Sequence, residues 1–476
     1  MEDRVSRRWL RTTAGTIVPA LGAALLLSQG ACQKKAPAPD PVAFTQTAMD
    51  VAIWGTPIVS VDAMRQAFFR DGGAQYGDVV YWSKPSDWKN QITTPNASVN
   101  YVYFNFNTKD GAIVLEMPAA VGAGLFGSLL DAWQVPMVDV GPRGEDQGKG
   151  GRYLLLPPGY AHEVPAEYIP VRFETMNGYG AFRAIPEGNS EAAVAAALDL
   201  VKKLRLYPLA QAASPPATRF HDVAGVRFDG IVRFDQTFYT SLARMVEEEP
   251  VLPRDADMMA MLKSIGIDKG RPFAPDQATQ ALLAEAAGKA RAAFIAKLPG
   301  DGTQYWPDRQ WRTPSTVGAQ SGFTFVTDGK LDVEERGRTY FLACAPPKHP
   351  GKASFYLLAY VDSAGQPLAG GKTYRLHVPA QVPAAQFWAA TVYDAETAAF
   401  IRESPRVEVS SYDPALRKNA DGSVDLYFGP QAPAGHESNW AYTAAGKPWF
   451  TIFRLYGPQP PLFNMKWQLA DIEAIP

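Results

Sequence analysis

"NYVYFNFN", residues 100–107, alternates so that Val102, Phe104 and Phe106 share one face of an extended segment. Side chains of a β-strand point alternately to opposite faces, so this period of two predicts a strand. "AIVLEMP", "SLLDAWQV" and "RYLLLPP" continue the signal, with Gly and Pro turns between them. We therefore expect residues 45–185 to form an antiparallel N-terminal β-domain.

The hydrophobic period changes after residue 185. "SEAAVAAALDLVKKLR" places Val194, Leu198 and Val201 on one helical stripe behind Ser190, a residue type favoured at helix N-caps. Residues 235–249 and the stretches "DADMMAMLKSIG" and "DQATQALLAEAAGKARAAFIAKL" show helical spacing as well. The sequence therefore predicts a helical segment over 186–310.

The β-signal returns beyond Trp311 and continues to the end of the chain. "SFYLLAYVD", "TYRLHVP", "FWAATVYD", "SVDLYFGP" and "WFTIFRLYGP" are short strand-like runs joined by Gly, Pro and Asp turns. Such spacing is typical of a sandwich or jelly roll. We expect a C-terminal β-sandwich over 311–476, in a chain that is mainly β with a helical insert.

The first residues have the features of an export signal. Four arginines up to Arg11 precede an apolar run over 16–27, which is shorter than the ~20 residues that a membrane-spanning helix needs. "SRRWLR" resembles a twin-arginine signal, with export by the Sec route left open. "QGAC", ending at Cys32, resembles a lipobox, so we expect residues 1–32 to be a signal peptide and 33–44 a Pro/Ala tether.

A lipid on Cys32 would hold the folded protein on a membrane in the periplasm. Gln33, rather than an aspartate, favours the outer membrane by resemblance to sorting signals. Lipidation would also leave Cys344 without a disulfide partner, and its apolar context predicts a buried, inert thiol.

Composition and spacing argue against several functions. The formal net charge is −2 and no basic run occurs, which excludes a nucleic-acid partner. The five histidines are widely spaced, so no metal is expected. The G-x-G-x-x-G match at 122–127 precedes strand-like residues where a dinucleotide fingerprint needs a helix, so we expect a hairpin turn there and no cofactor.

Charges on otherwise apolar faces are the best candidates for a ligand site. In "LLDAWQV", Asp131 and Trp133 share one face with Leu129 and Val135. In "FTIFRLY", Arg454 shares one face with Phe450, Ile452 and Tyr456. A buried charge needs a partner, which is either a structural ion pair or a ligand. Both alternatives stay open at this stage.

The stretch "DGSVDLYFGPQAPAGHESNW", residues 421–440, groups polar side chains before the last core strand. A turn at Asp421 followed by a strand explains its first half, and Glu437 and Asn439 then fall in a loop where polar side chains cap backbone groups. The competing interpretation is a ligand pocket with Asn439 and Trp440 on its wall.

Several ordered motifs resemble a two-domain family. "PN" at 95–96, "IVLEMP", "LLDAWQVPMVDVGPRG" and "GYGAFRAI" resemble the domain of unknown function 1254. "YVDSAGQPLAGGKTYRLHVP", "NADGSVDLYFGP" and "FRLYGPQP" resemble the domain of unknown function 1214. The resemblance implies an N-terminal immunoglobulin-like domain, a helical middle and a C-terminal jelly roll in mostly bacterial, often exported proteins, but no activity. Ser98 and Val99 depart from the family pattern, which has a carboxylate and a threonine there.

These observations favour an envelope protein that binds a small molecule or an envelope partner between its domains. The candidate residues are Asp131, Trp133, Asn439, Trp440 and Arg454. One alternative is a hydrolase in which Asp131 or Glu437 is the general base. The other is an envelope scaffold, and a homo-oligomer is left open.

Replacing Cys32 by serine should abolish lipidation, because the acyl chains require the thiol. We expect incorporation of labelled palmitate into the wild-type protein and none into Cys32→Ser. Labelling that persists in the variant, or a wholly soluble wild type, would contradict the anchor.

Overall fold

The computed structural model describes residues 40–188, 190–350 and 354–476. The predicted signal peptide, Cys32 and most of the tether lie outside them. The described helices are α1 (Pro41–Arg70), α2 (Glu191–Val201), α3 (Gln236–Glu248), α4 (Ala256–Ser264), α5 (Gln277–Lys297), α6 (Val317–Gln320), α7 (Val333–Leu342) and α8 (Pro460–Phe463). Within these residues, no helix combines the length and apolarity that crossing a bilayer requires.

The described strands fall into two groups along the chain. The first twelve are β1 (Val79–Tyr81), β2 (Asn90–Gln91), β3 (Asn100–Asn107), β4 (Ile113–Met117), β5 (Ala123–Asp131), β6 (Pro136–Val140), β7 (Gly151–Leu156), β8 (Tyr168–Arg172), β9 (Asn177–Pro186), β10 (Arg205–Pro208), β11 (Phe220–Asp222) and β12 (Phe228–Asp229). The others are β13 (Thr303–Gln304), β14 (Arg312–Thr313), β15 (Val326–Thr327), β16 (Lys330–Leu331), β17 (Ser354–Ala359), β18 (Thr373–Val378), β19 (Ala384–Asp394), β20 (Glu408–Ser410), β21 (Val424–Gly429), β22 (Trp440–Tyr442), β23 (Trp449–Pro458) and β24 (Ile472–Ile475).

Two sheets form the N-terminal sandwich. Sheet I has the order β11-β1-β3-β9-β5-β6, and sheet II the order β10-β4-β7-β8. The alternation predicted for β3 is confirmed, since Phe104 and Phe106 are buried on one face, where Phe106 contacts Phe173 beside sheet II at 5.1 Å. Tyr103 on the opposite face contacts Phe68 of α1 at 5.9 Å. Sheet I therefore lies between sheet II and the helices.

Two further sheets form the C-terminal sandwich. Sheet III has the order β13-β14-β17-β23-β19-β20, and sheet IV the order β22-β21-β18-β24. Trp449 of sheet III contacts Tyr374 and Phe428 of sheet IV at 5.5 and 5.1 Å. The face predicted for β23 is also confirmed, because Phe450 and Ile452 pack outside this sandwich, with the helices and sheet I.

Helix α1 is buried on all sides. Nineteen of its 30 residues are buried, and it packs against α3, α4, α5 and α7. Pro57 has no N–H, so the carbonyl of Ile53 one turn earlier lacks its usual helical donor. A Cβ on Gly337 of α7 would lie 2.6 Å from that carbonyl oxygen. The two helices can approach so closely because residue 337 has no side chain.

The helices and both sandwiches share one hydrophobic cluster. It contains Phe104 of sheet I, Trp54 of α1, Phe294 of α5, Phe341 of α7 and Tyr393 of sheet III. A second cluster fills the C-terminal sandwich, and a smaller one lies on the outer face of sheet II. The shared cluster fixes sheets I and III against the same helical layer.

The element boundaries differ from the sequence expectations in four places. Residues 41–70, expected as tether and β-domain, form α1, and β10 to β12 carry the N-terminal sheets past residue 185. The expected C-terminal sandwich also contributes α7, which packs on α1. The expected hairpin turn at 122–127 is mostly strand, because β5 begins at Ala123. The helix caps agree better, since Ser190 accepts a hydrogen bond from the N–H of Ala193.

Gly337→Ala should destabilise the protein by about 1–3 kcal/mol, because its methyl group would push α7 away from the Ile53 carbonyl. Gly288→Ala on α5 is the matched control, since a Cβ there meets nothing within 4 Å. It should be neutral or stabilise by up to ~1 kcal/mol. Urea unfolding measures both, and equal midpoints for Gly337→Ala and wild type would contradict the close approach.

Candidate functional site

The five candidate residues lie in three different places. Asn439 and Trp440 lie next to sheet IV, Asp131 and Trp133 lie beside the central helices, and Arg454 lies on the outer face of sheet III. No hydrogen bond or ion pair among the described residues joins Asp131 to Arg454. These two charges therefore do not pair directly, and the expectation that they line one common site stays a prediction.

The side chains of Asn439 and Trp440 hold a loop in place. Asn439 accepts a hydrogen bond from the N–H of Arg417 at 2.9 Å and donates to the carbonyls of Arg417 and Asp425. The indole of Trp440 donates to the carbonyl of Gly429 at 2.9 Å. The polar groups of both side chains thus form hydrogen bonds with the backbone, as the capping interpretation of residues 421–440 expects.

Asp131 caps the turn that follows β5. One of its oxygens accepts the backbone N–H groups of Trp133 and Val135, both at 2.8 Å, and Gln134 between them has a φ of +65°. The alternation expected through Val135 thus ends at Asp131. Burial raises the pKa of this carboxyl to about 7, which is the direction expected of a general base in an apolar setting.

Trp133 lies in an enclosed cluster beside α1. Its ring is 4.8 Å from that of Trp54 and 4.6 Å from the guanidinium of Arg336. A small cleft of about 20 Å³ borders the two tryptophans and the buried carboxylates of Glu249 and Asp255. These carboxylates already accept hydrogen bonds from the protein, so the cleft offers mainly apolar surface.

Glu437 lacks the environment expected of a general base. It is exposed, and hydrogen bonds from its own N–H and that of Gly435 lower the pKa of its carboxyl. The elevated pKa that the hydrolase alternative needs is therefore found at Asp131 and not at Glu437.

Arg454 belongs to a cluster at the seam between sheets I and III. We call it the seam cluster and define it as Asn96, Tyr101, Arg183, Tyr356, Arg454 and Tyr456. Tyr101 of β3 pairs across the strands with Arg183 of β9, and Tyr356 of β17 pairs with Arg454 of β23. Each sheet therefore contributes one Tyr–Arg pair.

Each guanidinium of the seam cluster lies near the ring of its cross-strand tyrosine. The guanidinium carbon of Arg183 is 5.9 Å from the ring centre of Tyr101, and that of Arg454 is 5.3 Å from the ring centre of Tyr356. Such cation–π contacts help to hold a guanidinium that has lost part of its hydration. The pairs are thus oriented by the strands and by the rings.

Arg454 is buried with little opposite charge in direct contact. It is 3% exposed, and it donates to the hydroxyl of Thr391 at 2.8 Å and to the carbonyl of Thr94 at 3.1 Å. Thr391 in turn donates to Glu408 at 2.6 Å. No carboxylate within the described ranges forms an ion pair with Arg454, and the charge of Glu408 acts on it from beyond contact distance.

Arg183 is half-buried and has fewer partners still. Its guanidinium makes no hydrogen bond or ion pair with any residue in the described part of the chain, and its electrostatic neighbours include Tyr356, Tyr456 and Arg454. Two positive groups therefore act on the same tyrosines. Burial would raise the pKa of Tyr356, but Arg183 and Arg454 together lower it below its usual value.

Residues 94–98 connect the two sides of the seam. The N–H of Asn96 donates to the hydroxyl of Tyr101 at 2.9 Å, and its side-chain amide donates to Tyr456. Ser98 donates to Glu408. Ser98 therefore places a neutral hydroxyl beside the seam cluster.

Sequence reasoning found only Arg454 of this cluster. The same criterion, a guanidinium on an otherwise apolar strand face, applies to Arg183, which shares its face of β9 with Tyr179 and Ala181. The tyrosines carried no such signal, because half-buried tyrosines are common in strands. Within the described ranges, no group of three or more His, Cys, Asp or Glu residues could hold a metal ion.

The chain matches two family descriptions in order. Residues 77–208 match "Protein of unknown function (DUF1254)", and residues 353–460 match "Protein of unknown function (DUF1214)". Their order along the chain is the one that the sequence motifs predict. No curated protein matches the chain at a significant level.

Two solved structures are similar over most of the chain. A Vibrio parahaemolyticus protein superposes with a TM-score of 0.52 at 15% identity, covering 91% of this chain and 100% of its own. A putative uncharacterized protein from Burkholderia cenocepacia gives a TM-score of 0.39 at 13% identity, covering 92% of this chain and 95% of its own. The first likeness concerns the fold alone.

Arg183→Gln should raise the pKa of Tyr356, because it removes one of the two charges that favour the phenolate. The tyrosinate absorbance of wild type minus that of Tyr356→Phe isolates the titration of this residue. Repeating the subtraction in the Arg183→Gln background should move the titration to higher pH. An unchanged titration curve would contradict the conclusion that the charge of Arg183 lowers the pKa of Tyr356.

The free energy of unfolding of Asp131→Asn, minus that of wild type, should increase as the pH rises from about 4 to about 7. The folded-state pKa of about 7 exceeds the unfolded value of about 4, so the wild type loses stability across that window. Asparagine keeps an oxygen acceptor for the two N–H groups and does not titrate. Urea unfolding at several pH values checks this, and a pH-independent difference would contradict it.

Proposed function

Because the chain belongs to the family that joins a DUF1254 domain to a DUF1214 domain, whose description gives no activity, we propose a function from its seam cluster. The protein binds a small anionic molecule, a carboxylate or a phosphate, between its two sandwiches. The observation that supports this most is the convergence of Arg183 and Arg454 on the same tyrosines, while no carboxylate of the described residues forms an ion pair with either.

The electrostatics of the cluster favour an anion over a neutral ligand. Burying a charge without a partner costs several kcal/mol of free energy, and an ion that pairs with it offsets much of that cost. Guanidinium groups offer planar, paired N–H donors that match carboxylate and phosphate oxygens. An anion between Arg183 and Arg454 would therefore gain from both groups at once.

The tyrosines of the seam cluster favour an anion that carries a carbon skeleton. Tyr101, Tyr356 and Tyr456 are half-buried, so part of each residue remains exposed to a ligand. A phenol can donate to a ligand oxygen, and its ring offers apolar surface to a ligand's carbon skeleton. We expect the preferred ligand to be an organic anion.

The residue at position 98 affects how strongly the seam cluster attracts an anion. It donates to Glu408, and Glu408 also accepts from Thr391, which contacts Arg454. A carboxylate at position 98, as in the family pattern, would add a negative charge next to Glu408 and weaken the attraction for an anion. Because serine is neutral, it does not weaken the attraction between the guanidinium groups of the seam cluster and an anionic ligand.

The wider setting is proposed from the sequence. An exported protein anchored through Cys32 to a membrane, with the outer membrane favoured, would meet an anion of the periplasm or of an envelope component. We also propose that the N-terminal sandwich is immunoglobulin-like and the C-terminal one a jelly roll. Six- and four-stranded, mainly antiparallel sheets in each half support this, and a crystal structure with a different strand order would contradict it.

Calorimetric titration of the full chain in detergent tests anion binding. The probes are phosphate, sulfate, acetate and succinate, and at least one should bind. Arg183→Gln should weaken that binding about tenfold or more, the loss expected when one charged pair is removed. Unfolding temperature should change little, because Arg183 makes no hydrogen bond to a described residue.

Arg143→Gln is the matched control, because Arg143 is exposed and lies outside the seam cluster. It should leave the affinity unchanged. Failure of all four probes to bind, or an equal loss in Arg143→Gln, would contradict the proposal.

A further inference from the structure

Four exposed arginines surround one carboxylate near the C-terminal end of α1. The carboxylate is that of Asp229 on β12, and its side chain is 11% exposed. Arg402 lies 3.0 Å from its Oδ2, and Arg227 and Arg233 each lie 3.7 Å from the same oxygen. Arg70 donates to the carbonyl of Asp229 at 2.9 Å. We call these four arginines, together with Asp229, the arginine patch.

Hydrogen bonds between distant segments of the chain hold the arginine patch together. β12 pairs with β2, and the N–H of Asp229 donates to the carboxylate of Asp71 at 2.8 Å. Gln91 of β2 donates to the carbonyl of Phe400 at 3.0 Å, which ties the loop that carries Arg402 to the same strand. The fold therefore assembles the patch from arginines that are far apart in the sequence, so no basic run reveals it.

The arginine patch has more positive than negative groups. Asp71 forms an ion pair with Arg70, and Asp229 is the one carboxylate in the described part of the chain that forms ion pairs with the other three arginines. Glu403 and Asp235 are neighbours of the patch in sequence, but neither forms an ion pair with it among the described residues. Four guanidinium groups thus share two carboxylates, and a further anion would offset their mutual repulsion.

Two of these guanidinium groups have free N–H donors. Arg227 and Arg233 lie too far from Asp229 for a hydrogen bond, and they make none to any other residue within the described ranges. Their side chains are 57% and 67% exposed. Exposed ion pairs add little to the stability of a protein. These two side chains are therefore available to a ligand at little cost to the fold.

We propose that the arginine patch binds the phosphate group of a phosphorylated molecule. A guanidinium group offers paired N–H donors that match phosphate oxygens. Arg227 and Arg233 approach the same oxygen of Asp229, so their ends are close enough for one phosphate group to bridge them. A phosphate monoester carries about two negative charges at neutral pH, which matches the two positive charges that the carboxylates of the patch leave unbalanced.

Calorimetric titration of the full chain with pyrophosphate in detergent tests this proposal. All titrations use the Arg183→Gln background, so that an anion at the seam cluster contributes little. Pyrophosphate should bind, and Arg233→Gln should weaken its binding about tenfold or more, the loss expected for one charged pair. Arg233→Lys should keep part of the affinity, because it retains the charge but not the paired donors. The unfolding temperature should change little in both variants.

Arg271→Gln is the matched control. Arg271 is 76% exposed and lies 3.6 Å from a single carboxylate, that of Asp268. Its replacement should leave pyrophosphate binding unchanged. No binding of pyrophosphate, or an equal loss of affinity in Arg271→Gln, would overturn the proposal.

A competition experiment identifies the source of the phosphate group. Glycerol 3-phosphate represents a free phosphate ester, and detergent micelles that contain phosphatidic acid present the same group as a lipid headgroup. At least one of them should displace pyrophosphate, whereas micelles that contain phosphatidylcholine should not. Displacement by glycerol 3-phosphate supports a soluble ligand, and displacement by the phosphatidic acid micelles alone supports a membrane surface. Displacement by neither would contradict the proposal.

Discussion

The burial of α1 on every side is the constraint on which the rest of the structure depends. A helix whose apolar residues occur on all sides must be surrounded by other apolar elements, and here α3, α4, α5 and α7 supply them. The helices in turn carry sheet I through Phe68 and Tyr103. Because sheet III packs on the same cluster, two sandwiches from opposite ends of the chain meet at a fixed seam.

The seam cluster follows from that geometry. Each sheet presents a tyrosine and an arginine as cross-strand neighbours, and residues 94–98 bond to both sides. Arg454 depends on sheet III for Thr391 and on the connecting segment for the Thr94 carbonyl. Arg183 has no such partners among the residues that the structure describes. The difference suits a site in which one guanidinium is fixed and the other is available to a ligand.

Local pattern predicts the strands and the caps well, because they depend on neighbouring residues. The faces of β3 and β23 and the N-cap at Ser190 are examples. The sequence did not predict α1 because its apolar residues occur on all sides and form no 3.6-residue stripe, and Pro57 interrupts the pattern further. The turn at 132–135 was missed because Asp131 caps it through its side chain, which alternation does not reveal. The seam cluster needs contacts between residues more than 100 positions apart, and a single sequence does not contain them.

An anomalous-scattering experiment tests the central claim most directly. Crystals of the protein soaked in selenate, which has the shape and charge of sulfate, would be measured at the selenium absorption edge. The account predicts a selenium peak between the guanidinium groups of Arg183 and Arg454, and its absence in Arg183→Gln crystals soaked in the same way. Selenate found only at other arginines, with the seam empty or filled by water, would contradict it.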